Sequence, residues 1–253
     1  MLKITIIGKG FLGKNLLDHY NQYDYQIFDS KNIASLSKQN HDIIFCAAPS
    51  GKKWLVNQNK EQDLSNILSL IDILKFTKFK KLILFSTIDV YNHSCIIENE
   101  NSTNYSHEPY GQNRKILENE ITKLSGENHI IRLPALFGKH LEKNYIFDLL
   151  NNNMLDKIKT NSSFQWYPTS KLVEHIDFVI DNNIPLLNLS VEPLETQLIV
   201  DTFFSDLTNK VDYETKGIFY DMRSQYVKNK YFLNKKDILL EMETYIGNVR
   251  NNN

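Results

Sequence analysis

Short apolar runs alternate with amphipathic stretches from the start of the chain. KITIIG (3–8) is a β-rich run ending in glycine, and FLGKNLLDHY (11–20) places apolar residues at helical spacing. YQIFDS (25–30) reads as a second strand. DIIFCAA (42–48) is nearly continuous in apolar residues, as expected of a strand covered on both faces. A long helix is predicted from about Glu61 to Phe76, with Leu64, Ile67, Leu68, Ile71 and Leu74 on its apolar face. KLILFST (81–87) is a fourth strand. A helix from about Tyr110 to Leu124 and a strand at HIIRLP (129–134) follow. Residues 92–108 are polar and without period, and read as an exposed loop. The last hundred residues mix helices, such as 237–247, with short strands, such as LLNLS (186–190). No internal repeat or low-complexity linker interrupts the pattern.

Strand, helix and strand in alternation, with short connections, predict a parallel sheet with helices on both faces. The fold class expected is α/β, a Rossmann-type doubly wound sheet with a small C-terminal portion. A length of 253 residues suits that arrangement. Composition adds exclusions. Hydrophobic residues are 42% and charged residues 23%, with a formal net charge of −1. No basic stripe points to nucleic acid. No apolar run approaches the ~20 residues of a membrane helix. No signal peptide is read in the N-terminal run, and a cytoplasmic protein is expected. Cys46 and Cys95 make no disulfide framework.

The first candidate chemistry is GKGFLG, a G-x-G-x-x-G formed by Gly8, Gly10 and Gly13. It follows a strand and opens a helix. In that setting Gly8 permits the tight turn, Gly10 lets the backbone approach a pyrophosphate, and Gly13 lets helix and strand pack closely. The helix N-terminus, with Phe11 and Leu12 in its first turn, offers free N–H groups to the phosphates. Asp29, 21 residues after Gly8, stands where an acid accepts the ribose hydroxyls of an adenosine, with Ser30 beside it. A carboxylate there repels a 2′-phosphate, so NAD is the expected cofactor, with Lys31 nearby as a reservation.

Several further segments resemble, in order and spacing, the extended branch of the short-chain dehydrogenase/reductase family, its NAD-dependent epimerase/dehydratase group. DIIFCAA (42–48) resembles D-x-V-x-H-x-A-A, and the resemblance puts Ala47 and Ala48 against the cofactor. Asn66–Leu74 resembles N-V-x-G-T-x-N-L-L. Phe85–Tyr91 resembles S-S-x-x-V-Y, and Tyr110-Gly111 the Y-G that opens the catalytic helix. Arg132–Gly138 resembles R-x-x-N-x-Y-G with two changes, and Phe164–Ile176 lies where the family has R-D-F-V-x-V-x-D-V-A-x-A. The resemblance covers residues 1 to about 190. It implies an NAD-binding domain from 1–138 plus about 171–190, and a substrate-binding portion from 139–170 and 191–253. It also implies a sugar-nucleotide substrate and a homodimer through the helix at 61–76 and the Tyr110 helix.

The shared chemistry is hydride transfer between a sugar carbon and nicotinamide. A hydroxyl that is oxidised must give up a proton, and a tyrosinate suits as base if its pKa falls from about 10. The resemblance makes Tyr110 the acid/base and Thr87 the hydroxyl that bonds the reacting oxygen. A lysine is expected four residues after the tyrosine. Here Arg114 holds that place and Lys115 comes one later. At ~100° per residue, Lys115 points elsewhere. Arginine is a cation and a donor, but a planar fork rather than a point charge. Three readings stay open: turnover with Arg114, slow or altered turnover, and a cofactor-binding module without turnover.

Other departures bear on substrate. Family members that remove water carry Asp-Glu after the threonine, and this chain has Ile88-Asp89, so 4,6-dehydration is disfavoured. That leaves an epimerase or a reductase. Ala135 replaces a substrate-contacting asparagine, and Pro134 is expected near the nicotinamide. Asp89, Ala135, Lys139 and Gln165 are the substrate-side candidates, with 139–144 and 164–167 lining that side. His93, Cys95 and His107 lack the paired spacing of a zinc site, so no metal is expected.

Overall fold

A computed structural model describes residues 2–92 and 95–251. In chain order the elements are β1 (Lys3–Ile7), α1 (Phe11–Tyr20), β2 (Asp24–Phe28), β3 (Asn40–Cys46), α2 (Lys53–Gln58), α3 (Lys60–Lys75), β4 (Lys78–Thr87), α4 (Pro109–Ile121) and β5 (Glu127–Leu133). They continue with β6 (Ala135–Phe137), α5 (Tyr145–Leu150), β7 (Ser163–Pro168), α6 (Leu172–Asp181), β8 (Leu186–Asn188), β9 (Pro193–Glu195), α7 (Thr196–Phe203) and α8 (Lys235–Asn251). Six strands form a parallel sheet in the order β2-β1-β3-β4-β5-β8. The reversal beside β1 is the switch point at which open α/β sheets hold ligands, beyond the carboxyl ends of the strands.

Two compact units are present. One comprises Met1–Asn92, Thr103–Arg132 and Val173–Leu187; the other comprises His93–Ser102, Leu133–Leu172 and Asn188–Asn253. The boundary near 138 falls after Arg132, and residues 93–102 go with the second unit. His93 lies outside the described residues.

In the first unit α3 and α4 pack on the sheet. Ile67, Ile71 and Leu74 of α3, Leu117 and Ile121 of α4, and Leu82 and Leu84 of β4 share one core cluster. Burial of such side chains contributes about 1.5–3 kcal/mol each. The buried face of α3 is Asp63, Ile67, Leu70, Ile71 and Leu74, not the face through Leu68, which is exposed. Asp63, an acid, lies on the buried face because it pairs with the buried Arg114.

In the second unit β6, β7 and β9 make a three-stranded sheet. The segment expected to be an exposed loop is partly buried here. Ile97 bridges to Met222, and the buried Glu100 carboxylate accepts from the Asn188 N–H at 2.9 Å, the Ser224 hydroxyl at 2.6 Å and the Gln225 N–H at 3.1 Å. Those donors explain why a polar segment folds in without hydrophobic periodicity. FQWY (164–167) also departs from expectation. Trp166 and Tyr167 are buried, and Phe164 packs against Tyr145, Trp166 and Tyr220, an aromatic core rather than a lining.

Candidate active site

Two glycines of the N-terminal loop touch protein and one does not. Gly8 has φ +108°, and a Cβ there would lie 2.5 Å from the Ala47 carbonyl oxygen. A Cβ on Gly13 would fall 2.0 Å from the Gly8 carbonyl oxygen, so this glycine lets α1 close onto the end of β1. Nothing lies within 4 Å of a Cβ on Gly10. Gly10 is also the N-cap of α1, which has no side-chain cap. The first turn, with Phe11 and Leu12 half-buried, therefore presents backbone N–H groups beside open space. Free N–H groups at a helix N-terminus suit an anion such as a diphosphate in sign.

Asp29 follows β2. Its carboxylate pairs with Lys9 at 2.8 Å and accepts the Lys31 N–H at 2.9 Å. The Lys9 bond first, then that N–H, hold its pKa below the usual carboxylate value. The Lys9 side chain is 54% exposed, so the pair is screened by solvent and holds Asp29 weakly. Ser30 is exposed beside it. Ala47 and Ala48 follow β3, where the Ala47 N–H donates to the Ile7 carbonyl at 2.8 Å.

Thr87 is the last residue of β4, and its hydroxyl accepts the Asp89 N–H at 3.1 Å. Tyr110 enters at the second residue of α4, after Pro109. Its backbone N–H, otherwise an orphan of the helix N-terminus, donates to the Asn57 side chain at 3.0 Å. Gly111 brings the helix close, since a Cβ there would sit 2.2 Å from the Asp89 carbonyl oxygen. The Tyr110 side chain is buried. Burial pushes the phenol pKa up; Arg114 pulls it down, Asp89 pushes it up, and Thr87 and Lys53 pull it down.

Arg114 lies on the Tyr110 face of α4, its guanidinium carbon 4.6 Å from the ring centroid. The guanidinium is buried and bidentate to Asp63, at 2.8 and 3.1 Å, and donates to the Ser50 carbonyl at 2.7 Å. Asn113 donates to the same carboxylate at 2.9 Å. Arg114 thus ties α4 to α3 and to the segment after β3, with its charge met by Asp63. The expectation of a cation offered to ribose meets this competing demand. Lys115 points away, to Glu118 at 3.3 Å and over the Tyr105 ring at 4.8 Å.

A second cation flanks the site. The Lys53 ammonium, on α2, is 3.0 Å from Asp89 and 2.9 Å from Glu108. Burial alone would lower its pKa, but the two carboxylates outweigh that and raise it.

The remaining candidates lie in the second unit. Pro134 is buried between β5 and β6, Ala135 is half-buried at the start of β6, and Lys139 is exposed. Gln165 is corrected as a substrate residue. It is 1% exposed, donates to the Val191 and Met222 carbonyls at 2.6 and 2.8 Å, and accepts the Met222 N–H at 2.8 Å. Its amide is spent on main chain.

Sequence reasoning missed Lys53, Asn57, Asp63 and Glu108. Asp63 carried a signal, an acid four residues before Ile67 on an amphipathic helix. Lys53 carried none, because its two partners lie 36 and 55 residues away.

No family model matches the chain, and no curated protein matches it. Solved structures do. A UDP-N-acetylglucosamine 4-epimerase from Methanobrevibacter ruminantium M1, in complex with UDP-N-acetylmuramic acid, aligns with a TM-score of 0.78 at 14% identity, over 97% of this chain and 96% of its own. A dTDP-4-dehydrorhamnose reductase from Bacillus anthracis, in complex with NADP, aligns at 0.76 and 16% identity, over 97% and 99%. TunA, an NAD-dependent NDP-hexosamine 5,6-dehydratase of tunicamycin biosynthesis, aligns at 0.76 and 14% identity, over 96% and 97%. This chain shares their fold. That fold is a Rossmann-type α/β one, and at such identities the likeness reaches no further than fold.

Proposed function

We propose that this protein is an NAD-dependent epimerase or reductase that acts on a nucleotide-linked sugar by hydride transfer, with Tyr110 as acid/base. The observation that carries the reading is the buried Tyr110 at the head of α4, with the Arg114 guanidinium 4.6 Å from its ring centroid, in the same compact unit as Thr87 at the carboxyl end of β4 and the glycine cradle. The sugar-nucleotide enzymes that share the fold support the substrate class.

Gly8, Gly10 and Gly13, with Phe11 and Leu12, would hold the diphosphate. Asp29 and Ser30 would meet the adenosine ribose, and Ala47, Ala48 and Pro134 would flank the rest. When bound, the nicotinamide supplies the acceptor or donor of hydride. Thr87 orients the sugar oxygen, and Tyr110 takes its proton on oxidation or returns one on reduction. Arg114 keeps the ring of Tyr110 in place and lends it part of a positive charge. Asp89, Ala135 and Lys139 remain substrate-side proposals. The Lys9–Asp29 pair softens the repulsion of a 2′-phosphate, so NADP belongs in the same assays. A homodimer through α3 and α4 fits the exposure of Leu68 and Ile116, and light scattering on wild type and Leu68→Glu tests it. Among the described residues no helix is long and apolar enough to cross a membrane.

One observation favours a second reading, a cofactor-binding module without turnover. The cation in the lysine's position is neutralised by Asp63. Absorbance of reduced nicotinamide separates the two. Purified protein with NAD and a panel of sugar nucleotides should develop the band with one of them. Tyr110→Phe should lose about 10²–10⁴-fold in rate, the usual worth of a positioned acid/base. Binding of NAD with no reduction across the panel, in wild type and variant alike, would replace the enzyme by the module.

A further inference from the structure

Away from the glycine cradle, a buried ion pair joins α4 to β5. Arg132, near the end of β5, is fully buried, and Glu118, on α4, is 1% exposed. The pair is bidentate. The Arg132 Nε donates to the first Glu118 oxygen at 2.9 Å, and Nη2 donates to the second at 2.6 Å. Nη1 donates to the Tyr91 hydroxyl, and the guanidinium carbon lies 4.6 Å from the centroid of that ring. The Ser86 hydroxyl donates to the first Glu118 oxygen at 2.7 Å, and the Lys115 ammonium donates to the second at 3.3 Å. Each carboxylate oxygen is thereby shared between Arg132 and another donor.

Such a pair is a poor source of stability. Taking both charges out of water costs about as much as their attraction returns, and apolar residues of like volume often do as well. Its partners point to a different use, because they bracket Thr87. Ser86 immediately precedes Thr87 at the end of β4, and Tyr91 ends the single turn, Ile88–Val90, that follows it. The Tyr91 N–H donates to the Ile88 carbonyl at 3.0 Å and closes that turn. Thr87 is therefore held from both sides by groups that end on one ion pair. Glu118 also shares a helix with Tyr110. A separation of eight residues is roughly 12 Å along a helix axis, so the Ser86–Glu118 bond sets the height of Tyr110 against the end of β4.

We infer that Glu118 and Arg132 are positioning residues, which keep Thr87 and Tyr110 in register with each other through Ser86, Tyr91 and α4. The inference rests on the proposed function for its purpose, since register matters when two groups must meet one sugar oxygen. A misplacement of 1 Å in such a site can cost about a hundredfold in rate. Every member lies in one compact unit.

The same network accounts for Lys115. Turned away from Tyr110, this lysine spans Glu118 and the Tyr105 ring. Tyr105 stacks on Tyr91, with ring centroids 6.2 Å apart, and bridges to it in antiparallel fashion. The lysine one place beyond Arg114 thus braces the turn after Thr87.

Two hydroxyls can be removed without touching either charge. Ser86→Ala cuts Glu118 from β4, and Tyr91→Phe cuts Arg132 from the turn. With NAD and a sugar nucleotide that reduces it, each should lower kcat on the order of tenfold or more and leave KM within about twofold, because alignment is lost and binding is not. A control in the core of α3, Ile71→Val, should lower the thermal midpoint by a similar amount and leave kcat at the wild-type value. Unchanged kcat in either hydroxyl variant, a rise in KM in place of a fall in kcat, or an equal fall of kcat in Ile71→Val overturns the inference. If no sugar nucleotide reduces NAD, the proposed function fails, and a substrate-free signal decides the register. Fluorine NMR of protein labelled with fluorotyrosine, in which Tyr110→Phe assigns the Tyr110 line, should show that line shifted or split in Ser86→Ala and unmoved in Ile71→Val. A Tyr110 line in Ser86→Ala identical to wild type overturns the inference whatever the turnover.

Discussion

The two flanks of Tyr110 carry opposite kinds of cation. On one side Arg114 is buried, bidentate to Asp63 and bonded to a main-chain carbonyl. On the other, Lys53 sits a third exposed between two carboxylates that reach solvent. An arginine in a closed pocket holds geometry, because its planar fork suits fixed partners and it keeps its proton. A lysine at a half-open edge can exchange its protons. In this chain one cation is closed in by fixed partners and the other stays open to solvent.

The largest expected effect breaks the closed flank. Arg114→Ala leaves Asp63 buried without its partner, which should cost about 3–5 kcal/mol of unfolding free energy in a denaturant titration. Arg114→Lys should recover only part of it, since an ammonium cannot span both Asp63 oxygens and Ser50. If Arg114→Ala is no less stable than Lys53→Met, the contrast between the flanks is wrong.

A smaller change tests how the flanks are brought together. Gly111→Ala puts a methyl against the Asp89 carbonyl and should destabilise by about 1–3 kcal/mol, as overpacked sites do. The same variant should displace the neighbouring Tyr110 and slow any turnover more than its stability loss suggests. Full activity in a folded Gly111→Ala protein would show that the close approach is dispensable.

On the open flank, Lys53→Met should change stability by no more than about 1 kcal/mol, because exposed pairs contribute little. A larger loss would mark Lys53 as a structural clamp like Arg114.

The smallest effect is a slope with pH. Burial, the main cause, holds the Tyr110 phenol above its ordinary value of 10.0. The folded protein therefore keeps a proton that the unfolded chain gives up. That contribution to stability is present below pH 10.0 and is lost as pH rises through the folded value. Thermal midpoints of wild type should fall faster above that pH than those of Tyr110→Phe. Parallel curves would mean that the phenol ionises as freely in the fold as out of it.

Much of this was legible before any coordinates. The alternation of strands and helices, the glycine loop after β1 and the Y-G at the head of α4 each depend on a few adjacent residues, and periodicity reads such features directly. The angular argument that sets Lys115 aside also holds, since a helix turns by a constant ~100° per residue. The face of α3 was misjudged because hydrophobicity alone chose Leu64 and Leu68, while Asp63 is buried by a partner 51 residues away. Gln165 looked polar enough for a substrate, and only the main chain around it shows that its amide is already satisfied.

The sequence by itself determined the sheet-and-helix class and the glycine turn after β1, because local spacing and backbone sterics act within a turn or a strand. The tertiary structure decided what surrounds Tyr110. Which cation is neutralised, which is shared and which carboxylate reaches water all depend on residues that meet across tens of positions, and charge pairing at 3 Å has no signature in the order of the chain.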